Sequence, residues 1–272
     1  MNYSKWVFIF SCLALSISCT HKTVPVASNY TSSGIRILSY NIHHANPPSK
    51  PNIIDIEAIA TAIKKQSPDL VALQEIDVNT NRSGKTINEA EEIARLAGMK
   101  YYFAKAIEYD GGEYGVAILS KFPMDKMTNT PLPTAEGTGG EHRTLATAII
   151  NLPGNKKIVF ACTHLDAQKN DTNRLLQIQK IADILEGEKL PVIIAGDFNS
   201  TPSKSVINIL DKYFTRTCIS DCGFTVPVII PTKTIDFIAY KPSDKFIVIE
   251  HKVIDEQYAS DHRPVEALLK FK

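Results

Sequence analysis

Residues 192–199 read Val192-Ile193-Ile194-Ala195-Gly196-Asp197-Phe198-Asn199. Apolar, largely β-branched residues of the kind enriched in strands run straight into a glycine, an acid and an amide. Upstream, Arg174 to Leu185 places apolar residues at 175, 178, 181, 182 and 185, a helical stripe. A helix thus feeds a short strand whose end presents polar side chains. Working outward, the same punctuation recurs. Strand Ile35–Tyr40 ends at Asn41. Apolar positions 53, 56, 59, 60 and 63 predict a helix over Ile53–Gln66, closed by Pro68-Asp69, and strand Leu70–Gln74 then meets Glu75. Strand Ile158–Thr163 ends at His164 and Asp166. Thr234-Ile235 leads to Asp236 in a strand reaching Tyr240, and Ser260-Asp261-His262-Arg263-Pro264 closes the series.

Further strands are expected at Val116–Leu119, Thr144–Asn151 and Phe246–Val253, and a second helix at Glu89–Leu96, stopped near Gly98. Several neighbouring strands are joined by loops too short for a helical crossover, which predicts mixed or antiparallel sheets covered by helices in one α/β domain, residues 34–272. The chain has 272 residues, 44% apolar and 22% charged, with 13 Gly and 15 Pro, which excludes collagen-like and low-complexity classes. Its formal charge of +1 argues against a polybasic binder that works by neutralising many phosphates.

Residues 1–19, MNYSKWVFIFSCLALSISC, set Lys5 before an apolar stretch from Trp6 to Ile17, too short for a permanent bilayer span. Leu15-Ser16-Ile17-Ser18-Cys19 resembles a loose bacterial lipobox, in which Cys19 would be lipidated and begin the mature protein. A plain cleaved signal peptide and an uncleaved anchor or core helix are the alternatives. Residues 20–33 read as a flexible tether. The expectation is a lipoprotein of the cell envelope, held to the membrane by an N-terminal lipid anchor, or else a secreted protein. Monomer is the default state. Removing residues 1–19 takes away Lys5 alone and leaves 29 charges of each sign. Of the remaining cysteines, Cys162 reads as a small buried hydrophobe. Cys218 and Cys222 are open to a small-loop disulfide or to two free thiols; no second Cys or His pair at finger spacing favours zinc.

A lone Asp or Asn after a strand is most often a turn former, and a lone His a satisfied structural group. Six such strand ends in one chain instead suggest a converging cluster. Asn41 in LSYNIH, Glu75 in LQEID, His164 in THLD, Asp197 and Asn199 in GDFN, Asp236 in TIDFI, and Asp261-His262 in SDHRP fall in the order of the endonuclease/exonuclease/phosphatase superfamily, and the chain resembles it over residues 34 to 272. That superfamily holds pancreatic-type deoxyribonucleases, abasic-site endonucleases, neutral sphingomyelinases and inositol-polyphosphate 5-phosphatases. The resemblance implies a four-layer α/β/β/α sandwich of two packed mixed sheets, and hydrolysis of phosphate esters with a divalent metal, Mg²⁺ or else Mn²⁺.

Carried residue by residue, it implies Glu75, Asn41 and Asp261 at the metal, and Asp197 positioning or deprotonating the attacking water with Asn199 beside it. His164 and His262 would donate to the non-bridging oxygens, with Asp236 orienting His262 and Glu113 orienting His164. Oxygen ligands suit Mg²⁺, and donors aimed at the oxygens that gain charge suit phosphoryl transfer. Arg143, Arg82 and His43 are candidates for substrate contact; for Arg143 a surface ion pair with Glu141 is the competing reading. The expected activity is a phosphodiesterase of the envelope. A Mg²⁺-dependent nuclease degrading DNA or RNA is the first alternative, and a non-catalytic binding protein the second. A nuclease would want a basic groove; Arg82, Lys85, Lys204, Lys233, Lys241, Lys252 and Arg263 are the cations to place.

Overall fold

Alternate residues of each central strand serve two different cores, and this organises the molecule. In β1 (Ile35–Asn41) and β2 (Leu70–Val78), Ile35, Ile37, Leu70 and Ala72 enter one apolar cluster, while Leu38, Tyr40, Val71 and Leu73 enter another. The same division holds in β7 (Lys156–His164), β8 (Val192–Asp197) and β10 (Asp236–Lys241). There Ile158, Phe160, Ile193 and Ile238 join the first cluster, and Val159, Ala161, Ile194 and Phe237 a third. Strands buried on both faces read as continuous apolar runs, which is why they stand out in the sequence.

The computed structural model describes residues 1–3 and 34–272. Residues 4–33, which include Cys19, the tether and nearly all of the expected leader, lie outside the described residues. Among the described residues no helix is long and apolar enough to cross a membrane.

The remaining strands are β3 (Lys100–Tyr109), β4 (Gly112–Ser120), β5 (Met124–Leu132), β6 (Arg143–Leu152), β9 (Thr215–Arg216), β11 (Phe246–Val253) and β12 (Val265–Phe271). They form two six-stranded sheets, ordered β11-β12-β1-β2-β4-β3 and β5-β6-β7-β8-β10-β9. Helices α1 (Ile56–Gln66) and α2 (Glu89–Ala97) contribute Ile59, Ile63, Ala90 and Ile93 to the outer core of the first sheet. Helices α3 (Thr172–Glu186) and α4 (Ser205–Tyr213) contribute Ile178, Ile181, Val206 and Leu210 to that of the second. Between the sheets lie Ile37, Ile118, Phe160, Ile193 and Leu269. Truncating Phe160 to Ala there should cost about 3–5 kcal/mol. The architecture is the expected α/β/β/α sandwich.

Local chemistry sets the boundaries. The first helix begins at Ile56, three residues later than its stripe suggests, because the Asp55 carboxylate caps it by accepting from the Ala58 amide at 3.0 Å. Strands β3, β5 and β12 and helix α4 were not expected. β3 and β5 are sheet edges with mostly exposed or half-buried residues, and so lack a clean apolar alternation. β12 carries the fully buried Glu266, which breaks its apolar pattern. That carboxylate is held by Arg36 of β1 and Lys252 of β11. Cys218 and Cys222 form a disulfide, and Cys162 is a buried free thiol.

Candidate active site

Each sheet contains one parallel pair joined through a helix: β1 with β2, and β7 with β8. The partners that flank them, β12 and β10, run antiparallel. Antiparallel strands start where the parallel strands end. Asp236 therefore opens β10 directly opposite Asp197, and the 260–262 loop enters β12 beside the end of β1. All six polar strand ends are brought to one edge of the sandwich, outside the carboxyl ends of the parallel strands. A hydrogen bond from Asn41 Nδ2 to Asp197 Oδ2, 3.1 Å, ties the two sheets there.

Glu75 is aimed by a defect in its strand. Gln74 pairs with Val116 and Ile76 with Gly115, so Glu75 is the extra residue of a β-bulge, with φ +60°. An acidic side chain held in the left-handed region is costly unless its surroundings require it, and bulges commonly re-aim side chains at sites. Asn41 Nδ2 also donates to Glu75 Oε1 at 3.0 Å, and the carbonyl of Asn41 accepts from Ser260 Oγ at 2.7 Å. Asp261 is thus linked to the pair through its loop; Ser260 Oγ lies 3.4 Å from Asp261 Oδ1. His43 and His44 offer ring nitrogens that lie with a Glu75 carboxylate oxygen within 4.8 Å of one another.

Asp197 is the centre of the other half. Its backbone passes so close to β7 that a Cβ on Gly196 would stand 2.1 Å from the Thr163 carbonyl oxygen, which explains the glycine of GDFN. The Asn199 amide donates to Asp197 Oδ1 at 2.8 Å, and the Asn199 side chain donates to the Leu165 carbonyl at 3.0 Å. Asp197 Oδ2 is 3.5 Å from His164 Nε2 and 3.9 Å from His262 Nε2. Burial, and then the neighbouring Asp236 charge, push the Asp197 carboxyl up to about 7.

The two histidines are held in opposite states. His262 Nδ1 donates to Asp236 Oδ2 at 3.0 Å. Burial opposes its charge, but Asp236, Asp197 and Asp261 outweigh it and raise the imidazole to about 10. At neutral pH His262 is an imidazolium. His164 Nδ1 faces Arg143 Nη1 at 3.0 Å. A guanidinium has no acceptor, so Nδ1 is unprotonated and the neutral ring's proton lies on Nε2, toward Asp197 Oδ2. Burial and the Arg143 charge hold this ring well below the usual imidazole range.

Glu113 is not the partner of His164. Its carboxylate pairs with Lys105 at 3.1 Å on neighbouring strand β3, 38% exposed, and Arg143 occupies the position beside the histidine. Arg143 is itself nearly buried and also meets Glu141 at 3.0 Å, so the ion pair and the inward contact coexist. Arg82 reaches the Glu75 side of the site, held bidentate by buried Asp77 at 2.7 and 2.9 Å and stacked 4.4 Å over the Tyr109 ring. His43 Nδ1 meets the Asn46 carbonyl at 2.9 Å. Asp166 faces away, accepting from Asn173 of α3 at 2.8 Å.

Sequence reading missed Asp77 and Tyr114. Asp77 sits two residues after Glu75 and gives only the signal of an acid inside an apolar run. Buried Tyr114 follows Glu113 and packs near Glu75 and Arg143, whose influences on its hydroxyl oppose one another. Two cavities, referred to as lobes, adjoin the site residues. A smaller one of about 180 Å³ is lined by His43, His44, Glu75, Arg82, Tyr109, Tyr114 and Glu141. A larger one of about 580 Å³ lies on the Asn199 and His262 side.

The residues present fit a hard divalent cation. Glu75 projects a carboxylate from its bulge with a neutral amide beside it, and one of its oxygens lies within 4.8 Å of ring nitrogens of His43 and His44.

Two face-packed mixed sheets thus carry acids, amides and histidines gathered at their common edge. The chain belongs to the Endonuclease/Exonuclease/phosphatase family, whose profile matches residues 38–262. It is similar to the uncharacterized protein YbhP of Escherichia coli (strain K12), 26% identical over 248 residues, covering 85% of this chain and 94% of YbhP. The inositol phosphosphingolipids phospholipase C of Schizosaccharomyces pombe is 28% identical over 195 residues, 66% of this chain and 44% of that protein. Among solved structures, the endonuclease/exonuclease/phosphatase from Beutenbergia cavernae superposes with a TM-score of 0.70 at 22% identity, covering 88% of this chain and 72% of that one.

Proposed function

We propose that the chain is a divalent-metal-dependent hydrolase of phosphate esters, a phosphodiesterase working in the cell envelope by attack of a water held at Asp197. The observation that carries the reading is the surroundings of Asp197. One carboxylate oxygen faces an amide donor and two imidazole Nε2 atoms, and the group is tuned to about 7. A proton acceptor works best when its pKa lies near the working pH, and an ordinary Asp near ~3.9 is far weaker.

Glu75 and Asn41, with Asp261 beside them, would hold the metal, Mg²⁺ or Mn²⁺, which supplies Lewis-acid polarisation of the phosphoryl oxygens. Asp197 orients the water and takes its proton, while the Asn199 backbone amide fixes the Asp197 carboxylate. His262 presents a charged N–H and His164 a neutral one on the same side, donors for the oxygens on which charge accumulates. Asp236 and Arg143 set those two protonation states. The likeness to a phospholipase C supports a diester substrate, and the lipobox-like Cys19 supports membrane attachment.

The test is hydrolysis of bis-p-nitrophenyl phosphate by the purified chain with Mg²⁺ or Mn²⁺, beside a panel of phosphomonoesters, lipids and plasmid DNA. Turnover that disappears in EDTA and in Asp197→Ala supports the proposal. A chain inert on every substrate would return it to the binding-protein reading, and plasmid degradation outpacing all other substrates would favour the nuclease.

A further inference from the structure

Six of the seven cations that the sequence offered for a phosphate-binding surface separate once their partners are known; the seventh, Lys85, is exposed and lines neither cavity of the site. Arg82 is saturated by Asp77, and Lys252 by Glu250 and Glu266. Arg263 meets Asp255 and the Val228 carbonyl, and Lys241 the Glu186 carbonyl. Lys204 and Lys233 both line the larger lobe, beside Asn199 and His262, and Lys169 joins them. These three are exposed, and among the described residues none has a side-chain hydrogen bond or ion pair. The acid that lines the same cavity, Asp171, is already taken by Arg174 at 2.5 Å.

Two further features of this lobe favour an anion. Ser200, 5% exposed, lines the cavity with its Oγ buried and without a hydrogen-bond partner among the described residues. A buried hydroxyl left unmatched is costly unless something arrives to bind it. Helix α4 also begins here, with Lys204 in the N-cap position, no side-chain cap and no acid in its first turn. A cation at the positive end of a helix is electrostatically unfavourable, and an anion placed between the two reverses the sign.

We infer that this lobe is a second anion subsite, and that the substrate carries a second phosphate group besides the one attacked at Asp197. The inference rests on the hydrolase reading above and specifies its substrate. The distribution of charge points to a compact bisphosphate. A nucleic acid would track cations on both sides of the attacked phosphate. On the other side the smaller lobe offers Arg82, spent on Asp77, together with the acid Glu141.

The test is calorimetric binding of fructose 1,6-bisphosphate and of fructose 6-phosphate to the full chain in EDTA, which separates recognition from turnover. The bisphosphate should bind at least tenfold more tightly. That advantage should vanish in the triple variant Lys169→Gln, Lys204→Gln, Lys233→Gln, and persist when the same lysines become Arg. Ser200→Ala should reduce it several-fold. Equal affinities in the unaltered chain, or an advantage that survives the triple Gln change, overturns the inference. A hexanucleotide that binds more tightly than the bisphosphate, with a steep salt dependence, overturns it in favour of a polymer. Failure of the hydrolase reading looks different: the binding preference stays, and bis-p-nitrophenyl phosphate is not turned over when metal is restored. Turnover of bis-p-nitrophenyl phosphate together with matched affinities for the two sugar phosphates would keep the hydrolase and remove the subsite.

Discussion

The two halves of the sandwich repeat one plan and end in different chemistry. In the first, β1 and β2 flank helix α1 and deliver Asn41 and Glu75; in the second, β7 and β8 flank α3 and deliver His164 and Asp197. The first pair is half-exposed at Glu75 and opens to a lobe of histidines. The second pair is buried to 4% and 1%. Burial sets the division of labour. A carboxylate with access to solvent suits a cation, whereas desolvation raises a buried carboxyl and lets it accept a proton. Under the proposed function the same strand-end position would give a ligand in one half and a proton acceptor in the other.

The sharpest way to break this comparison is to neutralise each acid in turn. Asp197→Asn should lower kcat about a thousandfold at every metal concentration. Glu75→Gln should fail differently, with activity recovering in part as Mg²⁺ is raised. Steady-state rates across a metal titration check this, and identical metal dependence in both variants would remove the division between the halves.

A smaller effect is expected at the supporting residues. Asn41→Ala should weaken apparent metal affinity about 10–100-fold, since Asn41 holds Glu75. Asp236→Asn should instead act through protonation. His262 is raised from 6.5 to about 10, so its stabilising charge is fully present below pH 6.5 and lost as pH rises through 10. Removing Asp236 should draw the basic limb of the pH–rate profile toward neutrality, and NMR titration of His262 should show the same shift.

Stability offers a subtler probe. Glu89 in the first half is buried and raised to about 8 from 4.5. Its contribution is complete below pH 4.5 and lost as pH rises through 8, because the chain must then either charge a buried acid or unfold. Glu89→Gln should flatten denaturant-unfolding stability against pH across that window. The smallest effect belongs to Glu113→Gln, expected to change kcat/KM less than twofold, since its partner is the exposed Lys105 rather than a catalytic group. A loss of a hundredfold there would restore the role read for Glu113 from the sequence.

Glu113 shows where sequence reading stops. It lies on the right strand at the right end, but neighbouring side chains of a strand alternate between faces, and the chain beside His164 is Arg143 from another strand. Nothing local in EHRTLATAII distinguishes an outward arginine from one turned into a histidine. Asp77 was equally hidden, because its partner Arg82 arrives by way of a loop.

The sequence by itself determined the strands, since their burial on both faces demands continuous apolar runs, and the polar residues that terminate them, since a site must be placed where such runs stop. It determined the order of those residues and hence the family. Only the tertiary structure decided which ends meet, which histidine carries a proton, how far Asp197 is desolvated, and which lysines remain without an acid. Each of those depends on distances between segments far apart in the chain, and the electric field at an atom is set by its neighbours in space rather than by its neighbours in sequence.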